Sequence, residues 1–90
     1  MNNNQIALAS LAMDLKRIAL GAHRGSTSVV KTFQKEVFKR REEIDEKAVA
    51  PYLRVLLKKL DALFVEEDHL KLAEDALMYS TLFQNAVLNS

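Results

Sequence analysis

Ninety residues with a formal net charge of +1, 49% hydrophobic side chains, one Pro and two Gly describe one globular domain and exclude a disordered or low-complexity chain. Folding at this size buries only about 60 to 65% of the surface that the unfolded chain exposes, so the core is thin and an oligomeric partner would add to it. The absence of Cys excludes a disulfide framework and a thiolate zinc site, and the opening MNNNQIALASLAMDLKR, without a basic leader and interrupted by Asp14, Lys16 and Arg17, reads as neither signal peptide nor membrane span, which makes a cytoplasmic location the expectation.

Helical periodicity runs through the whole chain and no alternating strand pattern interrupts it. A first helix over about residues 4–20 repeats Leu8, Leu11, Leu15, Ile18 and Ala22 at three- and four-residue steps, widened by Ala12 and Ala19. Gly21 reads as its stop. In the stretch GAHRGSTS, Gly25 followed by Ser26, Thr27 and Ser28 reads as a restart, because glycine accepts left-handed dihedrals and hydroxyls cap free amides.

The second helix, over about 27–44, places Val30, Phe33, Val37 and Ile44 on one side and Lys31, Lys35 and Lys39 on another. Extended straight through Pro51, it would turn the leucines of PYLRVLLKKLDALF roughly 120° away from that stripe, at 100° per residue. A break is therefore expected at IDEKAVA, with a third helix over about 51–65 and Pro51 in its first turn, where a missing amide costs little. Leu53, Leu56, Leu57, Leu60, Leu63 and Phe64 form its core face.

Clustered acids in VEEDHLKLAED, with Asp68 as a cap, open a fourth helix over about 67–87. It carries two apolar stripes. The first, read as the core face, is Leu70, Ala73, Leu77, Thr81, Gln84 and Leu88; the second is Leu72, Ala76, Tyr79, Phe83 and Ala86. The first helix repeats this mildly, with Ile6, Ala9, Met13 and Leu20 off its main stripe.

Together these elements predict a single all-α domain over 1–90, a small antiparallel four-helix bundle with short connections, completed by dimerisation. Its expected core is Leu11, Leu15, Ile18, Phe33, Val37, Leu53, Leu56, Leu57, Leu60, Leu70 and Leu77.

No chemistry-bearing motif stands out. Glu66-x-x-His69 has the spacing of di-iron bundles, but such sites use it twice with further glutamates, and here it occurs once. His23 has no Cys, Asp or Glu within five residues. No glycine-rich phosphate fingerprint is present, and with two histidines and eight Ser/Thr the sequence neither supports nor excludes a nucleophile and base brought together by the fold. Tyr79, Ser80, Thr81, Gln84 and Asn85 could line a polar cavity, against the commoner habit of helical hydroxyls bonding back to the chain or to a partner helix. The expectation is a non-enzymatic protein without cofactor or metal.

Charge is unevenly spread. Residues 1–41 carry eight Lys/Arg against Asp14 and Glu36, a balance of +6, while residues 61–90 carry Lys71 against Asp61, Glu66, Glu67, Asp68, Glu74 and Asp75, a balance of −5. That polarity steers a partner or lets basic and acidic helices lie side by side within the fold. Arg24, Ser26 and Thr27 at the start of the second helix are candidate anion contacts, with an ordinary helix corner as the plainer reading. Lys31, Lys35, Lys39, Arg40 and Arg41 extend this into a candidate nucleic-acid face, set against a simple solvated one.

The leading functional expectation is a protein-protein interaction or scaffold module acting as a homo-oligomer through its terminal helices. Ile6, Met13, Leu72, Ala76, Tyr79, Phe83 and Ala86 are its predicted interface, because an apolar second stripe left in water marks an interaction site. Its partners are a second copy or another helical protein; a small nucleic-acid-binding regulator is the alternative, and a membrane is not expected.

Overall fold

The computed structural model describes residues 2–89, and four α-helices account for most of them. They are α1 (Asn3–His23), α2 (Thr27–Glu42), α3 (Pro51–Leu63) and α4 (His69–Leu88), with a single 3₁₀ turn at Glu46–Ala48 between α2 and α3. No strand occurs among the described residues.

α1 begins with reciprocal capping. The Gln5 amide donates to Asn2 Oδ1 at 2.8 Å and the Asn2 amide to Gln5 Oε1 at 2.9 Å, which satisfies two donors that the helix start leaves free. Asn4 reaches across to the α2–α3 connection, accepting from the Asp45 amide at 2.9 Å and donating to the Asp45 carbonyl at 3.3 Å.

Gly21 does not stop α1, which continues to His23. The stop lies at Gly25, with φ +73°, where the Ser26 amide donates to the Gly21 carbonyl at 2.8 Å and the Gly25 amide to the Ala22 carbonyl at 3.0 Å. That pair of bonds is the Schellman arrangement, and it needs a left-handed residue where Gly25 stands. Gly21 has a different duty. A Cβ there would stand 2.6 Å from Cγ1 of Val29, so its bare backbone lets α2 fold tightly back on α1. Val29 is β-branched and cannot swing aside, so Gly21→Ala is expected to lower stability by about 1 to 2 kcal/mol, the overpacking cost outweighing the gain in helix propensity. Urea unfolding reads this directly, and a stabilised variant would refute the close approach.

α2 ends at Glu42, short of the predicted residue 44, yet Ile44 is still buried just beyond it. Pro51 occupies the first turn of α3 as its spacing predicts, and α3 ends at Leu63 rather than 65. Asp68 caps α4 by accepting from the Leu70 and Lys71 amides at 3.0 and 3.4 Å, so that helix starts at 69 rather than 67.

Cross-helix contacts fix the directions. Gly21 meets Val29, Arg17 lies 5.4 Å from the Phe33 ring centroid, and Asn4 meets Asp45, so α2 runs antiparallel to α1. Arg41 Nη1 donates to Asp61 Oδ2 at 3.1 Å and to the Leu57 carbonyl at 3.4 Å, and the rings of Phe38 and Phe64 meet edge to face at 5.4 Å; α3 therefore runs back along α2. α4 returns beside α1, joined by a buried bond from Ser80 Oγ to the Ala12 carbonyl at 2.6 Å.

α1 is the central helix, with Leu11, Leu15 and Ile18 fully buried, and Leu53, Leu57, Leu60 and Val37 close around it. Phe33 and Leu56 pack against this core only partly buried. α4 presents the stripe opposite to the one expected. Leu72, Ala76, Phe83 and Val87 are in the core, whereas Leu70 and Leu77 are half exposed at 53% and 51%. Polar satisfaction fits this choice: the stripe through Leu70 and Leu77 also carries Gln84, whose side-chain amide a core would leave short of partners. The buried stripe holds only Ser80, whose hydroxyl bonds to α1.

Candidate functional site

Reversal of α4 relocates the apolar surface. Of the residues predicted at an interface, Leu72, Ala76 and Phe83 are core, and Tyr79 and Ala86 are partly buried against it. Ile6 and Met13 do face solvent, 52% and 46% exposed. Leu20 joins them at the same seven-residue spacing on α1, and Leu70 and Leu77 stand half exposed on the adjoining flank of α4.

Met13, Leu20, Leu70 and Leu77 edge a depression between the terminal helices whose two parts share Lys16 and Leu77, and Ile6 lines neither. One part, about 470 Å³, is walled by Ala19, Leu20, Leu70, Ala73 and Leu77 and rimmed by Lys16, His23 and Glu74. The next, toward the other end of the helices, holds Met13 and Leu77 beside Ser80, Thr81, Gln84 and Asn85. Of the hydroxyls that could line a polar cavity, Ser80 bonds to α1 and Thr81 Oγ1 bonds back to the Leu77 carbonyl at 3.0 Å; Tyr79 lies elsewhere, against the core. The charged groups on the rim are not paired with each other: among the described residues neither Lys16 nor Glu74 closes an ion pair.

The 21–28 corner is occupied by its own chain. Ser26 Oγ accepts from the Val29 amide at 3.4 Å, and the shallow space beside Ser26 and Thr27 is lined by Glu66 and Glu67 together with His69. Two carboxylates there repel an anion, and Arg24 is exposed to solvent. Glu66 accepts from the Asp68 amide at 3.1 Å, so it serves the start of α4.

Along α2, Lys31, Lys35 and Lys39 are exposed, but the two arginines that follow are held within the fold. Arg40 Nη1 lies 3.3 Å from the Glu43 carboxylate. Arg41, besides its bonds to α3, stacks over the Phe38 ring at 4.8 Å. Of the uneven charge along the chain, one pair closes between helices, Arg41 of α2 with Asp61 near the end of α3.

Asp14 is the group that sequence reading passed over. It is a carboxylate 5% exposed on α1, bonded to Arg17 Nη1 at 3.0 Å, with Arg40 of α2 near enough to act on it. Its one legible signal is Asp14-x-x-Arg17, an i,i+3 pair. Burial pushes its pKa above the ordinary carboxylate value, against the bond and charge of Arg17 and the charge of Arg40. A raised folded-state pKa means that the folded chain holds more protons between the ordinary and the raised value. Stability contributed by Asp14 therefore falls as pH rises through that window, and is flat below and above it. Urea unfolding from about pH 3 to 7 should show wild type losing stability relative to Asp14→Asn across the window; a difference independent of pH would contradict the burial effect.

No helix among the described residues is long and apolar enough to cross a membrane. In comparisons with known proteins, no family model matches the chain, and no curated protein or solved structure matches it.

Proposed function

We propose that this protein is a non-enzymatic interaction module that binds a second copy of itself through the α1–α4 face. The observation that carries this reading is the half-exposed set Met13, Leu20, Leu70 and Leu77 bordering one depression. Single exposed apolar residues are ordinary, but a contiguous group of them marks a contact surface.

The molecule measures 35 × 21 × 19 Å, so a long side is wide enough to hold the ~1,000 Å² total that a specific interface needs. One self-complementary contact covers both patches at once.

Size exclusion coupled to light scattering is the test. A species of twice the 10.2 kDa chain mass at tens of micromolar protein is expected, dissociating on dilution. A 10.2 kDa monomer at millimolar concentration would end the reading. The exposed Lys31, Lys35 and Lys39 keep a nucleic-acid role as the second reading. Its signature is anisotropy-detected binding to generic DNA or RNA that weakens steeply with salt.

A further inference from the structure

Resting on the nucleic-acid reading given second above, we infer that the outer face of α2 holds the phosphate backbone of a nucleic-acid duplex through Lys31, Lys35 and Lys39, without regard to its sequence. Four-residue spacing puts the three lysines on one slowly turning stripe, at intervals of about 6 Å over about 12 Å of helix. All three are exposed, and among the described residues none of them closes an ion pair. The neighbouring carboxylates bound the stripe. Glu43 is held by Arg40, Glu36 sits close enough to Asp14 of α1 to act on it, and exposed Glu42 follows the last lysine and marks the end of the footprint. None of the three lysines lines the α1–α4 depression, so self-association leaves the stripe open.

What the stripe lacks selects the partner. Among the described residues, no large exposed apolar side chain lies on α2. A protein partner draws its affinity from apolar and aromatic anchors at the centre of the contact, and a membrane surface takes an apolar face to bury or a larger basic cluster. A phosphodiester backbone needs only positive charge at intervals. Neither ring of α2 is free for base stacking, since Phe33 lies under Arg17 and Phe38 meets both Phe64 and Arg41. Single strands, whose binding leans on stacking, therefore gain less than a duplex, whose charge is also denser along its axis. Sequence goes unread for a related reason. An ammonium is a point charge without the fork that grips a base edge, and both arginines of α2 are engaged, Arg40 with Glu43 and Arg41 with Asp61.

The test is fluorescence anisotropy at about 20 mM salt and upward, with short DNA duplexes of two unrelated sequences, one of their single strands, and vesicles containing anionic phospholipid. Both duplexes are expected to bind equally, and the single strand and the vesicles more weakly. Lys31→Gln and Lys35→Gln should each lower the slope of log affinity against log salt by about one, and the triple variant with Lys39→Gln should bind about tenfold or more weakly at the lowest salt. Lys59→Gln is the control for net charge. Lys59 is also exposed, but it lies 200° around α3 from Asp61, which meets α2, and its loss should leave the slope unchanged. Circular dichroism checks that each variant folds. Tighter binding to the single strand, a preference between the two duplexes, or equal effects of Lys35→Gln and Lys59→Gln would overturn the assignment to this stripe while leaving a nucleic-acid role intact. Binding to the vesicles alone, or to nothing, would overturn both.

Discussion

Phe83→Asp is expected to abolish cooperative unfolding altogether, not to release monomers from an oligomer. Phe83 is fully buried and is the largest of the fully buried side chains. Truncating such a ring to Ala costs about 3 to 5 kcal/mol through lost burial and the cavity left behind. Asp adds a carboxylate to a buried apolar cluster, which raises the cost further. A small domain has about 5 to 15 kcal/mol in total, and one of this size sits toward the lower end. Far-ultraviolet circular dichroism of Phe83→Asp should show weak helicity with a broad, shallow melt, and Phe83→Ala should melt cooperatively at a lower temperature. A Phe83→Asp protein with the melting curve of wild type would return Phe83 to the surface and reverse the assignment of the two faces of α4.

The two faces of α4 also show what a sequence reveals and what it withholds. α3 was legible because it has one apolar stripe, and Leu53, Leu57 and Leu60 are buried as their spacing requires. α4 has two stripes of similar apolar content, and counting leucines favours the wrong one. The signal that separates them is polar: Gln84, with a full side-chain amide to satisfy, sits in one, whereas the other side buries Ser80, a single hydroxyl, beside the partly buried Tyr79. Serine is small enough to let α4 approach α1 and bond to a main-chain carbonyl. Glycine carried a similar ambiguity. Gly21 and Gly25 both suit a helix stop, but only Gly25 adopts a positive φ, while the closeness of Val29 to Gly21 is a tertiary fact with no local trace. Asp14 was hidden for the converse reason, since charged residues on helices are seldom buried, and only packing by α2 makes this one so.

Leu77→Asp should do to the oligomer what Phe83→Asp does to the fold. Leu77 lines both parts of the α1–α4 depression and is half exposed in the single chain. A carboxylate there is solvated in the monomer, so thermal stability measured at high dilution should stay within about 0.5 kcal/mol of wild type. Across a closed interface the same carboxylate is desolvated at the centre of the contact, where truncations and charges cost most. That costs about 3 kcal/mol, roughly a hundredfold in Kd. Met78→Asp is the matched control. Met78 is the next residue on the same helix and equally exposed at 51%, but a 100° turn carries it away from the depression. If general stickiness of the apolar surface drives association, the two substitutions weaken it alike. If the face between α1 and α4 is the contact, Leu77→Asp yields monomers at concentrations where Met78→Asp remains dimeric, and analytical ultracentrifugation of the two side by side distinguishes these outcomes in one experiment.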